Sequence, residues 1–207
     1  MNMNEIPTIT FAYFEISINC IQNFLNGYLE KRINNQETFI SLEKKDINKF
    51  LIEWKKIKEL QIYKKEYSSA LFYNPLISDE KTIMISNLAD GWYTLCNVIA
   101  NNLNCAYYLF TLSDEKDSEP MNSFRYKNNG IKRSIYAMKE GKWYFYSEGE
   151  PLYFEEQKHY ENKMIKKRLT KQILIDYCKE LGLFIENENF WKTEKESLYL
   201  KNVYNVS

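Results

Sequence analysis

Glu148, Glu150, Glu155 and Glu156 crowd the segment YSEGEPLYFEE, and Arg125, Arg133 and Arg168 lie on either side of it. Paired carboxylates can move protons or hold a divalent cation, and arginines beside them can clamp an anion. This set is the combination in the chain best suited to acid–base work on a small phosphorylated or glycosidic substrate. Other reaction centres are missing. His159 is the one histidine, and no glycine-flanked serine or cysteine stands ready for a base to activate. Neither a phosphate-binding GxxxxGK[ST] loop nor a dinucleotide glycine fingerprint occurs. Cys20, Cys96, Cys105 and Cys178 are scattered singly, without a CxxC pair or a second histidine to complete a zinc set. Cys96 and Cys178 fall on apolar stripes of predicted helices, where a thiol packs as a small hydrophobe. No cofactor, no metal and no catalytic residue are expected, so the chain is read as a non-enzyme. The glutamates then become solvated turn residues, and an arginine paired with Glu155 fixes the crossing from strand to helix.

The elements that must position these residues follow from periodicity. Pro7 to Ile18 reads as a strand, Cys20 to Leu29 as a short helix, and Thr38 to Leu42 as a second strand. After Asp46 as N-cap, Ile47, Phe50, Leu51, Trp54 and Ile57 share one helical face. Glu43 to Lys65 holds eight lysines against four acids, including Lys55, Lys56 and Lys58 on the opposite face. Ser68 to Tyr73 and Lys81 to Ser86 flank a turn at Asn74 and Pro75. Asp90 is placed as the cap of a helix carrying Trp92, Leu95, Cys96, Ile99 and Leu103, and Cys105 to Leu112 is apolar on both faces, as a central strand is.

From Phe124 the chain reads as a meander: Ile131 to Met138 joins Trp143 to Tyr146 through Glu140 and Gly141, and Glu148 to Pro151 leads into a further strand at Leu152 to Phe154. Ile131, Arg133, Ile135 and Ala137 share one face of the first of these strands, with Lys132, Ser134, Tyr136 and Met138 on the other. Thr170 caps a last helix that ends at Gly182, and a final strand runs through Ser197 to Leu200. The expected fold is α+β: a single domain over residues 1–207, a largely antiparallel sheet with a C-terminal meander, and about four helices.

The whole chain limits its partners. Its 207 residues are 44% hydrophobic and 16% aromatic, enough for one core, and 28 basic residues balance 28 acidic ones. That neutrality disfavours direct nucleic-acid binding. No basic leader or long apolar run is present, so a cytoplasmic protein without membrane contact is expected, as monomer or weak dimer. Residues 148–156 carry four acids and no base, while 158–171 carry six bases and one acid. With Tyr144, Tyr146 and Tyr153 interleaved, the acidic stretch suits a protein interface, its carboxylates standing in for phosphates before a basic partner. The acidic loop residues Asp114, Glu115 and Asp117 join the expected partner-binding set of Tyr144, Tyr146, Glu148, Glu150, Tyr153, Glu155 and Glu156.

The run FRYKNNGIKRSIYAMKEGKWYFYSEGEPLYFEE, with Tyr160, RLT at Arg168 to Thr170 and YCKELG at Tyr177 to Gly182, resembles bacterial proteins found beside polymorphic toxin and contact-dependent inhibition genes. The likeness covers residues 88 to 184. It implies an immunity protein, a small cytosolic α+β protein that binds one cognate toxin domain, such as a nuclease, and blocks its active site or a surface it needs. The competing readings are a small enzyme using the Glu/Arg cluster and a phage- or plasmid-encoded anti-defence polyanion mimic.

Overall fold

The computed structural model describes residues 8–33, 38–52, 67–114 and 116–204. Nine strands form one sheet, in the order β2-β9-β3-β4-β1-β5-β6-β7-β8. They are β1 (Thr8–Phe14), β2 (Thr38–Lys44), β3 (Tyr67–Tyr73), β4 (Thr82–Ser86), β5 (Tyr107–Ser113), β6 (Met121–Asn128), β7 (Ile131–Glu140), β8 (Lys142–Glu148) and β9 (Leu198–Tyr204). Every neighbouring pair is antiparallel. The helices are α1 (Ile18–Ile33), α2 (residues 47–52), α3 (Tyr93–Leu103) and α4 (Lys171–Glu180). The expected α+β fold with an antiparallel sheet is the fold observed. Among the described residues no helix is long and apolar enough to cross a membrane.

Side-chain alternation sends successive residues of the central strands into two cores, one on each face of the sheet. On one face Phe11, Tyr108, Phe110, Phe124 and Ile135 meet α2, α4 and the buried Phe190 and Trp191. On the other Ala12, Phe14, Tyr107 and Leu109 lie under α1 and α3. Tyr107 to Ser113 is buried throughout, as expected of a strand apolar on both faces.

Local signals placed three helix ends. Asp46 Oδ1 accepts from the Lys49 amide at 3.0 Å, and Thr170 Oγ1 from the Ile173 amide at 3.3 Å. At the far end of α4 Gly182 takes φ 68°, and the Leu183 amide reaches back to the Cys178 carbonyl at 2.8 Å. The part of the predicted lysine-rich helix that holds Lys55, Lys56 and Lys58 lies outside the described residues.

Three expectations fail for physical reasons. Asp90 does not cap α3 directly: its carboxylate accepts from the Trp92 amide at 3.0 Å, closing a turn, and Trp92 itself sits at the N-cap in a left-handed conformation. The second hairpin is also absent. Pro151 offers no amide, and the Leu152 amide turns inward to Glu155 Oε1 at 2.8 Å, so residues 151–156 form a turn instead of the strand expected at Leu152 to Phe154. The first strand, expected over Pro7 to Ile18, ends at Phe14, because Ser17 accepts from the Cys20 amide at 3.4 Å and Ile18 already opens α1, whereas the expected last strand is present as β9 and inserts between β2 and β3.

Candidate functional site

Arg133 and Glu155 meet on the core side of the meander. Their side chains are 1% and 0% exposed, and the pair is bidentate, with Nε 3.0 Å from Oε1 and Nη2 2.8 Å from Oε2. Nη1 donates to Ser147 Oγ at 2.8 Å and to the Glu148 and Gly149 carbonyls at 3.0 and 2.9 Å. Tyr160 donates to Glu155 Oε2 at 2.7 Å, and its oxygen lies 2.7 Å from that of Tyr177 on α4. Burial disfavours the guanidinium charge, but the hydrogen bond and charge of Glu155 outweigh it and raise the Arg133 pKa. Burial first, then the bonds to Tyr177 and Glu155, drive the Tyr160 hydroxyl far above its ordinary range.

This network staples the end of β8 to β7 and to the loop that follows. It is closed on itself, since every guanidinium nitrogen has an acceptor. Gly149 completes the staple: φ is 80°, and a Cβ there would collide with the Lys132 carbonyl oxygen. Glu155 therefore leaves the exposed acidic set in which its sequence position had placed it.

The opposite face of β6, β7 and β8 extends beyond the cover of α1 and α3. The registers set two rows of side chains across the three strands on this face, Ser123–Tyr136–Tyr146 and Arg125–Ser134–Glu148. Tyr136 and Tyr146 stack at 5.1 Å and 19°. Tyr144 and Tyr146 are 41% and 40% exposed at the sheet edge, and Tyr153, on the turn beyond, is 82% exposed. Tyr146 donates to Glu148 Oε2 at 2.6 Å, and that bond is the main reason its hydroxyl pKa is raised. Where α3 meets this face a groove of about 470 Å³ opens, lined by Tyr93, Arg125, Lys127, Lys132, Tyr136 and Tyr146 among others. The Arg125 guanidinium lies 4.7 Å from the centre of the Tyr93 ring.

The structure separates what the sequence grouped. Arg133 and Glu155 point to one side of the meander and Arg125 to the other, so the Glu/Arg cluster that would act on a substrate does not converge. Arg168 stands over the Phe145 ring at 5.3 Å and donates to the Asn162 carbonyl at 2.8 Å. Glu148 and Glu150 remain exposed at the turn. Glu156, also exposed, bonds Lys158 at 3.0 Å and His159 at 2.8 Å, and the Lys158 hydrogen bond above all lowers its pKa.

Asp114 and Asp117 lie elsewhere. Asp117 Oδ2 accepts from Thr8 Oγ1 at 2.7 Å and from the Asp114 amide at 3.2 Å, closing the β5–β6 loop. That loop joins β6 at Met121, whereas Glu148 lies, through Ser134, level with Arg125, four strand steps or about 13 Å along the sheet and two strands across. Glu115 lies outside the described residues. Among the described residues no group of three or more His, Cys, Asp or Glu is placed to hold a metal ion.

Sequence reasoning missed the cationic groove. Lys132 and Tyr136 already alternate onto one face, but that Arg125, Lys127 and Tyr93 join them depends on the β6–β7 register and on where α3 packs. Comparison with protein-family models, curated proteins and solved structures gives no match.

Proposed function

We propose that this chain is a non-catalytic binding protein, an immunity protein that neutralises a cognate bacterial toxin domain in the cytoplasm by occupying its active or functional surface. The observation that carries the reading is the rim formed by edge strand β8 and the turn after it. There Tyr144, Tyr146 and Tyr153 stand exposed beside Glu148 and Glu150, while the Arg133–Glu155 staple holds the backbone beneath them. Tyrosines present large amphipathic area at low entropic cost, and a backbone already fixed loses little more freedom on docking. The acidic turn favours a basic partner surface, mainly through the speed and orientation of encounter. The protomer acts as a monomer or weak dimer.

Among the described residues the two competing readings find less support. An enzyme built on Glu150, Glu155, Arg125 and Arg133 requires them in one cleft, and the sheet lies between Arg125 and the Arg133–Glu155 pair. A polyanion mimic needs a uniformly acidic face, whereas the tyrosine face of β6–β8 sets Arg125, Lys127, Lys132 and Lys142 against Glu140 and Glu148.

The test is co-expression with the toxin domain encoded beside it, followed by pull-down of the complex. Rescued growth and a stoichiometric complex are expected, with Tyr146→Ala and Tyr153→Ala weakening it. Absence of both rescue and complex overturns the reading. Glu148→Lys with Glu150→Lys is expected to slow association and leave the melting temperature unchanged.

A further inference from the structure

The groove beside α3 carries charge and ring surface that the toxin-binding reading does not use. Arg125 is half-buried, and among the described residues its guanidinium has no hydrogen-bond acceptor and lies over the face of Tyr93. Lys127 Nζ donates to Asn97 Oδ1 at 3.0 Å and Asn101 Oδ1 at 2.6 Å, both neutral oxygens. Lys132 is exposed on the next strand, directly across from Lys127. Three cations thus face one groove whose only lining carboxylate, Glu148, already accepts from Tyr146. Arg133 borders the groove, but its guanidinium is turned to the other face of the sheet and paired with Glu155. An uncompensated guanidinium beside two ammonium groups selects an anion, and its planar fork suits phosphate or carboxylate oxygens.

The walls narrow the class further. Tyr93 closes one side and the stacked Tyr136–Tyr146 pair the other, so flat ring surface flanks the charges. A volume of about 470 Å³ lies in the range of small-molecule pockets and is far more than an inorganic ion needs.

We infer that this groove binds a free nucleoside monophosphate, its phosphate on Arg125, Lys127 and Lys132 and its base against the tyrosine walls. Whole-chain neutrality argues against a nucleic-acid track but not against one nucleotide in a local basic groove. The inference is separable from the toxin-binding reading: the two share Tyr146, but the anion is held by Arg125, Lys127 and Lys132, which the rim does not use.

Isothermal titration of the full chain with AMP, GMP, CMP and UMP tests it, with adenosine and inorganic phosphate as probes of each half of the ligand. At least one mononucleotide is expected to bind one to one, with adenosine and phosphate each about tenfold weaker or worse. Arg125→Met is expected to cost about ten- to a hundredfold in affinity, the value of a lost charge-assisted contact. Lys132→Glu, at an exposed position that folding does not need, is expected to weaken mononucleotide binding and leave adenosine unaffected. The inference is overturned if no mononucleotide binds, if inorganic phosphate binds as tightly, or if Lys132→Glu binds as the parent does. A 5′-phosphorylated tetranucleotide that binds more than about tenfold tighter than every mononucleotide overturns the assignment to a free nucleotide.

Discussion

Glu155→Ala is the sharpest perturbation of this fold. The carboxylate is wholly buried and receives Arg133 Nε and Nη2, the Leu152 amide and the Tyr160 hydroxyl. Its removal strands a guanidinium that is 1% exposed and leaves the Leu152 amide without its acceptor. Breaking a buried pair from one side costs about 3–5 kcal/mol, a large share of the roughly 5–15 kcal/mol that holds a domain together. For a chain near 200 residues, about 2–4 °C per kcal/mol turns that into a fall of roughly 6–20 °C in melting temperature.

Removing both charges behaves differently. In the Arg133→Met, Glu155→Leu double variant no buried charge remains, and the Glu148 and Gly149 carbonyls lie in an exposed turn where water can replace the lost donor. The double variant is therefore expected to be more stable than Glu155→Ala alone. Urea unfolding followed by tryptophan fluorescence measures all four corners of the cycle. A cost below about 1 kcal/mol for Glu155→Ala, or a double variant less stable than that single one, refutes the idea of a buried staple.

Two further outcomes follow from burial. Cys96, Cys105 and Cys178 are buried and Cys20 is exposed; burial raises the three buried thiols, Cys105 to about 11. A thiol reagent at neutral pH should label one cysteine in the native protein and four after unfolding, and fast native labelling of Cys96 or Cys178 contradicts the packing. Tyr107 and Tyr108 are likewise raised by burial, and Tyr13 is raised to about 12 by burial and then by Glu15 and Tyr153, from a reference of 10.0. Below pH 10 both states keep these protons; above it the unfolded chain releases them while the fold retains them, so stability falls as pH rises, by about 1.4 kcal/mol per pH unit for each tyrosine. A flat stability profile between pH 10 and 12 contradicts that.

Features set by a few neighbouring residues were legible in the sequence. Thr170, Gly182 and Asp46 mark helix ends because capping is a local hydrogen bond, and Arg133 stood out as a charge in an otherwise apolar alternation. The errors came where distant groups compete for the backbone. Leu152 to Phe154 has strand composition, but the Leu152 amide is taken by a carboxylate whose position is set by Arg133. No local signal tells that β9 inserts between β2 and β3, or that Arg125 and Tyr93 meet, since both depend on sheet order. The acidic residues looked like one patch because spacing along the chain does not reveal that Asp117 sits in the β5–β6 loop while Glu148 ends β8, two strands away and level with Arg125.

The staple and the rim are best understood as one device. An edge strand exposes unpaired backbone groups and invites pairing with other chains. β8 limits this with Lys142 at one end and Glu148 at the other, and on its core side Phe145 packs against Tyr160 under the Arg168 guanidinium. What stays available is the outward row of Tyr144 and Tyr146 and the turn that Arg133 grips through two carbonyls. Because that turn is ordered before any partner arrives, docking forfeits little conformational entropy there, so the stability of the staple and the affinity of the rim should be coupled. On the proposed binding role, a variant such as Glu155→Ala should then lose partner affinity through faster dissociation even below its melting temperature, although the Glu155 side chain is buried away from the surface.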